Sequence, residues 1–181
     1  MKKLLITSAL SLFTFLSFGQ ASDSKEKARS NAENFEIRSG KLIRKEHIKV
    51  GTIKGCEIMA LHLEDLISKE KSSGVRFEYE YRNSSVSDTK IAVLDPDEVE
   101  ALIKSLKKIE AEILPKTAEH YTEVSFRSRS GFEAGCFYEI DKKDWSTYLK
   151  LEKFDGRSYV FLKAADFPQL IEVLTKAQGL M

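Results

Sequence analysis

Two stretches of the sequence decide the fold: IAVLDPDEVEALIKSL at residues 91–106 and YVFLKAADFPQLIEVL at residues 159–174. Each consists of a short apolar strand, a helix start and a helix with a Leu-Ile-x-x-Leu apolar stripe. The second stretch begins 68 residues after the first, and its apolar positions then coincide with those of the first. Self-similarity of this kind indicates that one structural unit occurs twice.

Clear helix signals follow the strand in both stretches. Asp95 is a suitable N-cap, Pro96 suits the first helical position, and Glu98 has the spacing of a capping box. The sequence predicts a helix from there to Pro115, with apolar residues on one face. In the second stretch it predicts a helix over residues 166–177, with a proline in the first turn and Gly179 near the end.

Alternating apolar residues and turn signals predict four strands before each helix. The predicted strands cover residues 41–50, 52–63, 75–81 and 90–94 in the first half, and 122–129, 132–140, 145–154 and 158–162 in the second. A charged link is expected at 64–74, and Asp155-Gly156 is expected to form a hairpin turn with a residue of positive φ.

The predicted fold class is α+β, built from two tandem ββββα repeats at residues 35–115 and 116–181. We expect two antiparallel sheets, each covered by a helix. One four-stranded sheet with one helix encloses only a small core, so the two repeats should pack together as a pseudo-dimer.

The N-terminus has the pattern of an export signal. Lys2 and Lys3 precede an uncharged apolar run at residues 4–18, and small residues follow. We predict a signal peptide at residues 1–19 with cleavage before Gln20, and hence a periplasmic or secreted protein; an uncleaved anchor is the alternative. No later apolar run is long enough to span a membrane. Residues 20–34 are polar and are predicted to be a flexible lead.

Charge sets limits on the partners. The whole chain has 29 basic and 28 acidic residues, and removal of the leader would remove two of the lysines. A balanced surface gives no electrostatic basis for binding nucleic acid, because that affinity comes largely from neutralising phosphates.

Two cysteines, Cys56 and Cys136, each follow a glycine at equivalent places in the two halves. An exported protein can keep a disulfide, and an even number of cysteines permits one. The alternative is that both are small buried residues required at the same point of each repeat. Neither has a second cysteine or a histidine at the spacing of a metal site, so no metal is expected.

The sequence contains no recognisable catalytic signature. The histidines, His47, His62 and His120, stand at no motif spacing, and no nucleophile elbow or phosphate-binding glycine loop occurs. Arg127 and Arg129 with the nearby Lys142 and Lys143 form a mildly basic stretch among acidic residues, typical of a solvated face. The sequence therefore predicts no enzyme activity and no cofactor.

Four strands and a helix, repeated once, resemble the architecture of the positive-cofactor-four, Whirly and Pur families. The resemblance is carried by the strand-to-helix joint at residues 91–104 and its second copy at 159–173, and it covers most of residues 41–178. It implies binding of single-stranded nucleic acid on a basic, aromatic-bearing sheet. Glu78, Glu80 and Glu152 on the predicted strands depart from that pattern, as do the leader and the balanced charge.

A non-enzymatic binding or interaction module is the function that these observations favour, with an unknown protein or small molecule as its partner. Two alternatives remain. One is a single-stranded nucleic-acid binder, as the family resemblance implies. The other is an enzyme with a site between the repeats, near His62, Cys56 and Cys136.

Overall fold

The computed structural model describes residues 28–181, so the predicted leader and most of the predicted lead lie outside it. Eight strands and three α-helices make up this part of the chain. In order they are α1 Asn31–Glu36, β1 Ile43–Ile53, β2 Cys56–Asp65, β3 Lys71–Arg82, β4 Ser87–Leu94, α2 Pro96–Lys108, β5 Glu123–Arg127, β6 Glu133–Glu139, β7 Asp144–Lys150, β8 Tyr159–Leu162 and α3 Phe167–Gln178.

The strands form two separate four-stranded sheets. Each sheet is an antiparallel meander, with the order β1-β2-β3-β4 in the first and β5-β6-β7-β8 in the second. This arrangement confirms the α+β class and the assignment of four strands to each half. The strand-to-helix joints predicted from the two similar stretches are also present, since α2 begins at Pro96 and α3 at Phe167.

One hydrophobic core joins the two halves. It contains residues of both sheets together with the apolar faces of α2 and α3. The helices contact each other; α3 packs on β1, β2 and β3, whereas α2 contacts β3, β5 and β6. The prediction that each helix covers its own sheet is therefore wrong for α3, which packs on the sheet of the other half. Because the two small sheets share one core, that core is larger than the one that either sheet could enclose with a single helix.

The first helix, α1, corrects the prediction of a flexible lead through residue 34. Ser30 accepts a hydrogen bond from the backbone of Glu33, whose side chain accepts one from Ser30 N, so the helix has a complete capping box. Ala32 and Phe35 are buried in a second cluster with Leu61 and others on the face of the first sheet opposite α3. These two apolar residues pack the helix against the first sheet.

The predicted link at 64–74 is shorter in the structure. Strand β3 begins at Lys71, which pairs with Glu64, so only residues 66–70 lie between β2 and β3. Gly74 suggested a turn, but it lies inside β3, where a β-carbon would stand 2.7 Å from Leu94 O. The glycine is explained by this close approach of two backbones.

The end of β7 also differs from the prediction. The strand ends at Lys150 rather than at residue 154, and the chain forms a 3-10 turn at Gly156–Ser158 before β8. Asp155 accepts a hydrogen bond from Arg157 N at 2.8 Å, and Gly156 does not adopt positive φ. Strands β7 and β8 do pair as an antiparallel hairpin. The predicted positive φ in its turn is wrong, because the Asp155 side chain stabilises a helical turn instead.

An ionic cluster around Lys90 links the segment before β8 to the first sheet. This lysine on β4 is 4% exposed; it pairs with Asp88 at 2.6 Å and with Asp155. The hydrogen bonds that Lys90 donates to Asp155 and Asp88 raise the pKa of Lys90. Lys90 therefore stays charged and joins the edge of the first sheet to the second half.

Candidate functional site

The two cysteines are buried in the shared core as free thiols. Burial in apolar surroundings raises the pKa of Cys56 and of Cys136 to about 12. A thiol with so high a pKa is protonated near neutral pH and is a poor nucleophile. Both side chains thus act as small core residues.

We expect iodoacetamide at pH 8 to label neither cysteine of the native protein, and to label both rapidly in urea, because only the unfolded chain exposes ionisable thiols. Mass spectrometry after timed quenching would measure this. The single variants Cys56→Ala and Cys136→Ala assign any signal to one residue. Rapid labelling of one thiol in the folded protein would contradict its burial and restore it as a candidate nucleophile.

The histidine proposed near the cysteines lies apart from Cys56. His62 and Cys56 are on the same strand, β2, six residues apart, which corresponds to roughly 20 Å along a strand. The imidazole Nε2 of His62 is 2.6 Å from Leu180 O, just after α3. The structure thus assembles no cysteine–histidine pair from these two residues.

The acidic residues on strand β3 form ion pairs with neighbouring arginines and are not brought together in a catalytic or metal site. Arg76 pairs with Glu78 at 2.6 Å, and Arg82 donates to both carboxylate oxygens of Glu80. No group of three or more histidine, cysteine or acidic side chains in residues 28–181 could hold a metal ion.

One residue of the basic stretch, Arg129, has a role that the sequence did not indicate. Its Nη2 donates to Asp95 Oδ2 at 2.7 Å, its Nη1 donates to Asp97 Oδ2 at 2.9 Å, and its backbone N–H donates to Glu98 Oε1 at 2.7 Å. Hydrogen bonds to Asp97 and Asp95 raise the pKa of Arg129 above its usual range. Its charge is therefore fully compensated at the start of α2.

A surface cavity of about 680 Å³ lies beside this cluster. Its lining includes Arg127, Arg129, Lys153 and Phe154. The two arginines are already paired with carboxylates, Arg127 with Glu133 at 2.9 Å. A cavity whose arginines are neutralised by the protein has little attraction for an anion.

The second sheet has two different faces. The pairing register places an apolar set on the inner face, with Ala134, Cys136 and Leu149 in the shared core. Within residues 28–181, α2 packs on this inner face, where Val124 and Phe126 adjoin the core. The outer-face strand positions are aromatic, polar or glycine: Glu123, Ser125, Arg127, Glu133, Gly135, Phe137, Glu139, Asp144, Ser146, Tyr148, Lys150, Tyr159 and Phe161.

Five rings form an aromatic strip on the outer face: Tyr121, Phe137, Tyr148, Tyr159 and Phe161. Successive ring centroids along the strip are 6.4, 6.1, 5.4 and 5.7 Å apart. These separations are those of interacting aromatic pairs. The terminal rings are the most open, with Tyr121 59% and Phe161 62% exposed. The strip is thus a continuous apolar surface with two accessible ends.

Gly135 makes the centre of the strip flat. It lies on β6 between Ser125 of β5 and Tyr148 of β7. Because Gly135 has no side chain, no side chain stands between Tyr148 and Ser125 on this face. The Tyr148 side chain is consequently 4% exposed although it lies on the outer face, and burial raises its pKa to about 12. The Tyr148 ring at the centre of the strip is therefore held in place and forms the buried base of the apolar surface.

Charges beside the strip are nearly balanced and largely paired within the protein. Arg127 pairs with Glu133 at 2.9 Å, and Lys142 pairs with Glu139 at 2.6 Å. Tyr121 donates a hydrogen bond to Glu123, and the Lys150 ammonium group lies 5.1 Å from the Tyr159 ring centroid. With Asp144 at the start of β7, four carboxylates therefore accompany three cationic groups.

A shallow cavity of about 400 Å³ opens at one end of the strip. Phe137 and Phe161 supply apolar surface, while Glu139, Lys142 and Ser146 supply hydrogen-bonding groups. Aromatic surface with a few directed polar groups is the usual composition of a ligand site.

The sequence gives only a weak signal for the strip. In β7 the apolar residue Leu149 lies on the inner face, and the alternation there predicts a buried face without showing which residues neighbour Tyr148 on the other side. The signal that could have revealed it is the alternation at Tyr159 and Phe161 on β8. Which rings become neighbours depends on the strand register.

No protein-family model matches the chain, and none of the curated proteins is significantly similar to it. Among the helices of residues 28–181, none combines the length and apolar character needed to cross a membrane.

Proposed function

We propose that the protein is an exported, non-enzymatic binding module and that the outer face of its second sheet is the binding face. The observation that carries the proposal is the aromatic strip, which leaves Tyr121 and Phe161 open to solvent on a face packed on by neither α1 nor α2. Tyrosine and other aromatic side chains supply large contact areas and dominate binding energy at many interfaces. Export is supported by the leader-like pattern of residues 1–19.

A comparison of the two halves supports the choice of this face. We infer that the halves are a tandem duplication packed as a pseudo-dimer, since Leu102 and Leu170 are buried at equivalent positions, as are Cys56 and Cys136. The first sheet carries α1 on the face away from α3. The second sheet bears the aromatic strip on its outer face instead, so the outer faces of the two halves have diverged.

A retention experiment tests the proposed function. The purified protein, the double variant Tyr121→Ser/Phe161→Ser and the control Phe154→Ser would each be immobilised and exposed to envelope and culture-supernatant fractions of the producing cells. We expect the native protein and the control to retain a component that the double variant loses. Phe154 is 91% exposed and lies off the strip. The control therefore makes the same phenylalanine-to-serine change as the variant but leaves the outer face of the second sheet unaltered.

Two results would contradict this function. Identical retention by all three proteins would show that the aromatic strip takes no part in binding. Hydrolase turnover that persists through purification and is abolished by His62→Ala would show an enzyme instead of a binding module.

A single-stranded nucleic-acid binder is the second candidate, because bases stack on aromatic rings carried by a sheet. The strip favours it, whereas the carboxylates Glu123, Glu133 and Glu139 on the same face oppose it. Fluorescence anisotropy with a labelled oligonucleotide separates the two candidates, since true nucleic-acid binding weakens steeply as salt is raised.

A further inference from the structure

The charge pattern of the outer face indicates a ligand without net charge. Arg127 and Lys142 are already paired with Glu133 and Glu139. A polyanion would have to break these pairs and approach the carboxylates, while a polycation would meet the arginine and the lysines. A neutral ligand avoids both the breaking of ion pairs and the repulsion between like charges, because the ion pairs within the protein can remain.

The mixture of aromatic and polar groups indicates what kind of neutral ligand fits. No outward-facing strand position on the second sheet is aliphatic, unlike the surface that an apolar helix or peptide would require. Flat rings with interspersed carboxylate, hydroxyl and ammonium groups match a ligand that is itself apolar on one face and rich in hydroxyl groups at its edges.

A sugar ring has both properties. Its C–H bonds on one face carry partial positive charge and can lie against the negative face of an aromatic ring. Its hydroxyl groups need partners when they leave water. At the end of the strip, Phe161 is nearly parallel to Tyr159, with 10° between the planes, and packs against a ring of the strip on one side only. Glu139 and Ser146 beside the same cavity are hydrogen-bonded to each other, and their oxygens have further lone pairs that can accept hydrogen bonds from the hydroxyl groups.

We propose that the outer face binds a neutral glycan chain, with Tyr121 and Phe161 stacking against sugar rings and Glu139 and Ser146 bonding to their hydroxyl groups. This inference rests on the proposed function and specifies its ligand class. The ends of the strip lie on the two edge strands of the sheet or next to them, so a chain of several sugars can lie across it.

Native gel electrophoresis of the full chain in gels containing dextran, galactomannan, xyloglucan or laminarin provides the test, with alginate as the anionic comparison. We expect at least one neutral polysaccharide to retard the native protein, with little effect of salt. The variant Tyr121→Ser/Phe161→Ser should bind about tenfold more weakly or worse, as expected for the loss of two stacking contacts. Phe161→Trp keeps an aromatic ring and should retain binding, and Phe154→Ser should behave as the native protein.

The outcomes separate the ligand class from the function. If periodate treatment of the retained envelope component leaves its capture intact and none of the neutral polysaccharides retards the protein, the glycan inference is overturned while the binding function stands. Retardation by alginate alone, abolished by salt, would show a polyanion site and also overturn it. If the strip variants change neither retention nor mobility, both proposals fail together.

Discussion

Gly135→Ala should destabilise the protein by at least about 3 kcal/mol, which we expect to be the largest effect of any single methyl group in the second sheet. A β-carbon at this position would stand 2.2 Å from Val124 O and 2.8 Å from Ser125 Cα. Both atoms belong to the backbone of β5, so no side chain can rotate away to relieve the contact. The strands β5 and β6 would therefore have to separate.

Urea unfolding followed by circular dichroism would measure this loss, with Gly156→Ala as the matched control. Gly156 has no atom within 4 Å of the added carbon and does not have positive φ. The control should therefore change the free energy of unfolding by less than about 1 kcal/mol. Equal effects of the two substitutions would mean that β5 and β6 do not approach as closely as described.

Asp95→Ala should cost about 3 kcal/mol, because it removes the acceptor shared by three parts of the structure. The Asp95 carboxylate accepts hydrogen bonds from Asn31 N at 2.7 Å and Ala32 N at 3.0 Å, both in the first turn of α1. It also accepts the bond from Arg129, and its own side chain is only 3% exposed. Removal leaves buried N–H groups and part of a guanidinium charge without a partner.

Asp97→Ala is the appropriate control, since Asp97 binds the same arginine from a position that is 67% exposed. Exposed ion pairs contribute little, and we expect a loss below about 1 kcal/mol. Hydrogen exchange adds a local readout, because Asp95→Ala should speed exchange of the Ala32 and Asn34 amides of α1 whereas Asp97→Ala should not. A larger effect of Asp97→Ala than of Asp95→Ala would refute this assignment.

Asp95 illustrates how a local signal can be correct and still incomplete. The sequence indicated it as the cap of α2, and Asp95 N does form the reciprocal half of that capping box by donating to Glu98 Oε2 at 3.0 Å. Its carboxylate, however, binds the start of α1, some 60 residues earlier in the chain. A partner at such a distance leaves no local pattern at either end.

Helix α1 is the opposite case. The sequence contains its capping signal, but the polar composition of the segment led to the prediction of a flexible lead. Ser30 and Glu33 have capping-box spacing. In a polar stretch with few apolar residues, such a short helix is not stable alone. It exists because Ala32 and Phe35 are buried against the first sheet, together with Leu61 and Leu63.

The sequence by itself determined the α+β class, the four strands in each half and the two strand-to-helix joints, because these depend on periodicity and capping over a few neighbouring residues. Tertiary structure decided which sheet α3 covers, which carboxylates hold Arg129 and which rings meet on the outer face. Those contacts depend on register and packing between residues far apart in the chain. The aromatic strip is of this second kind: residues from 121 to 161 supply its rings, and only the pairing of four strands makes them one surface.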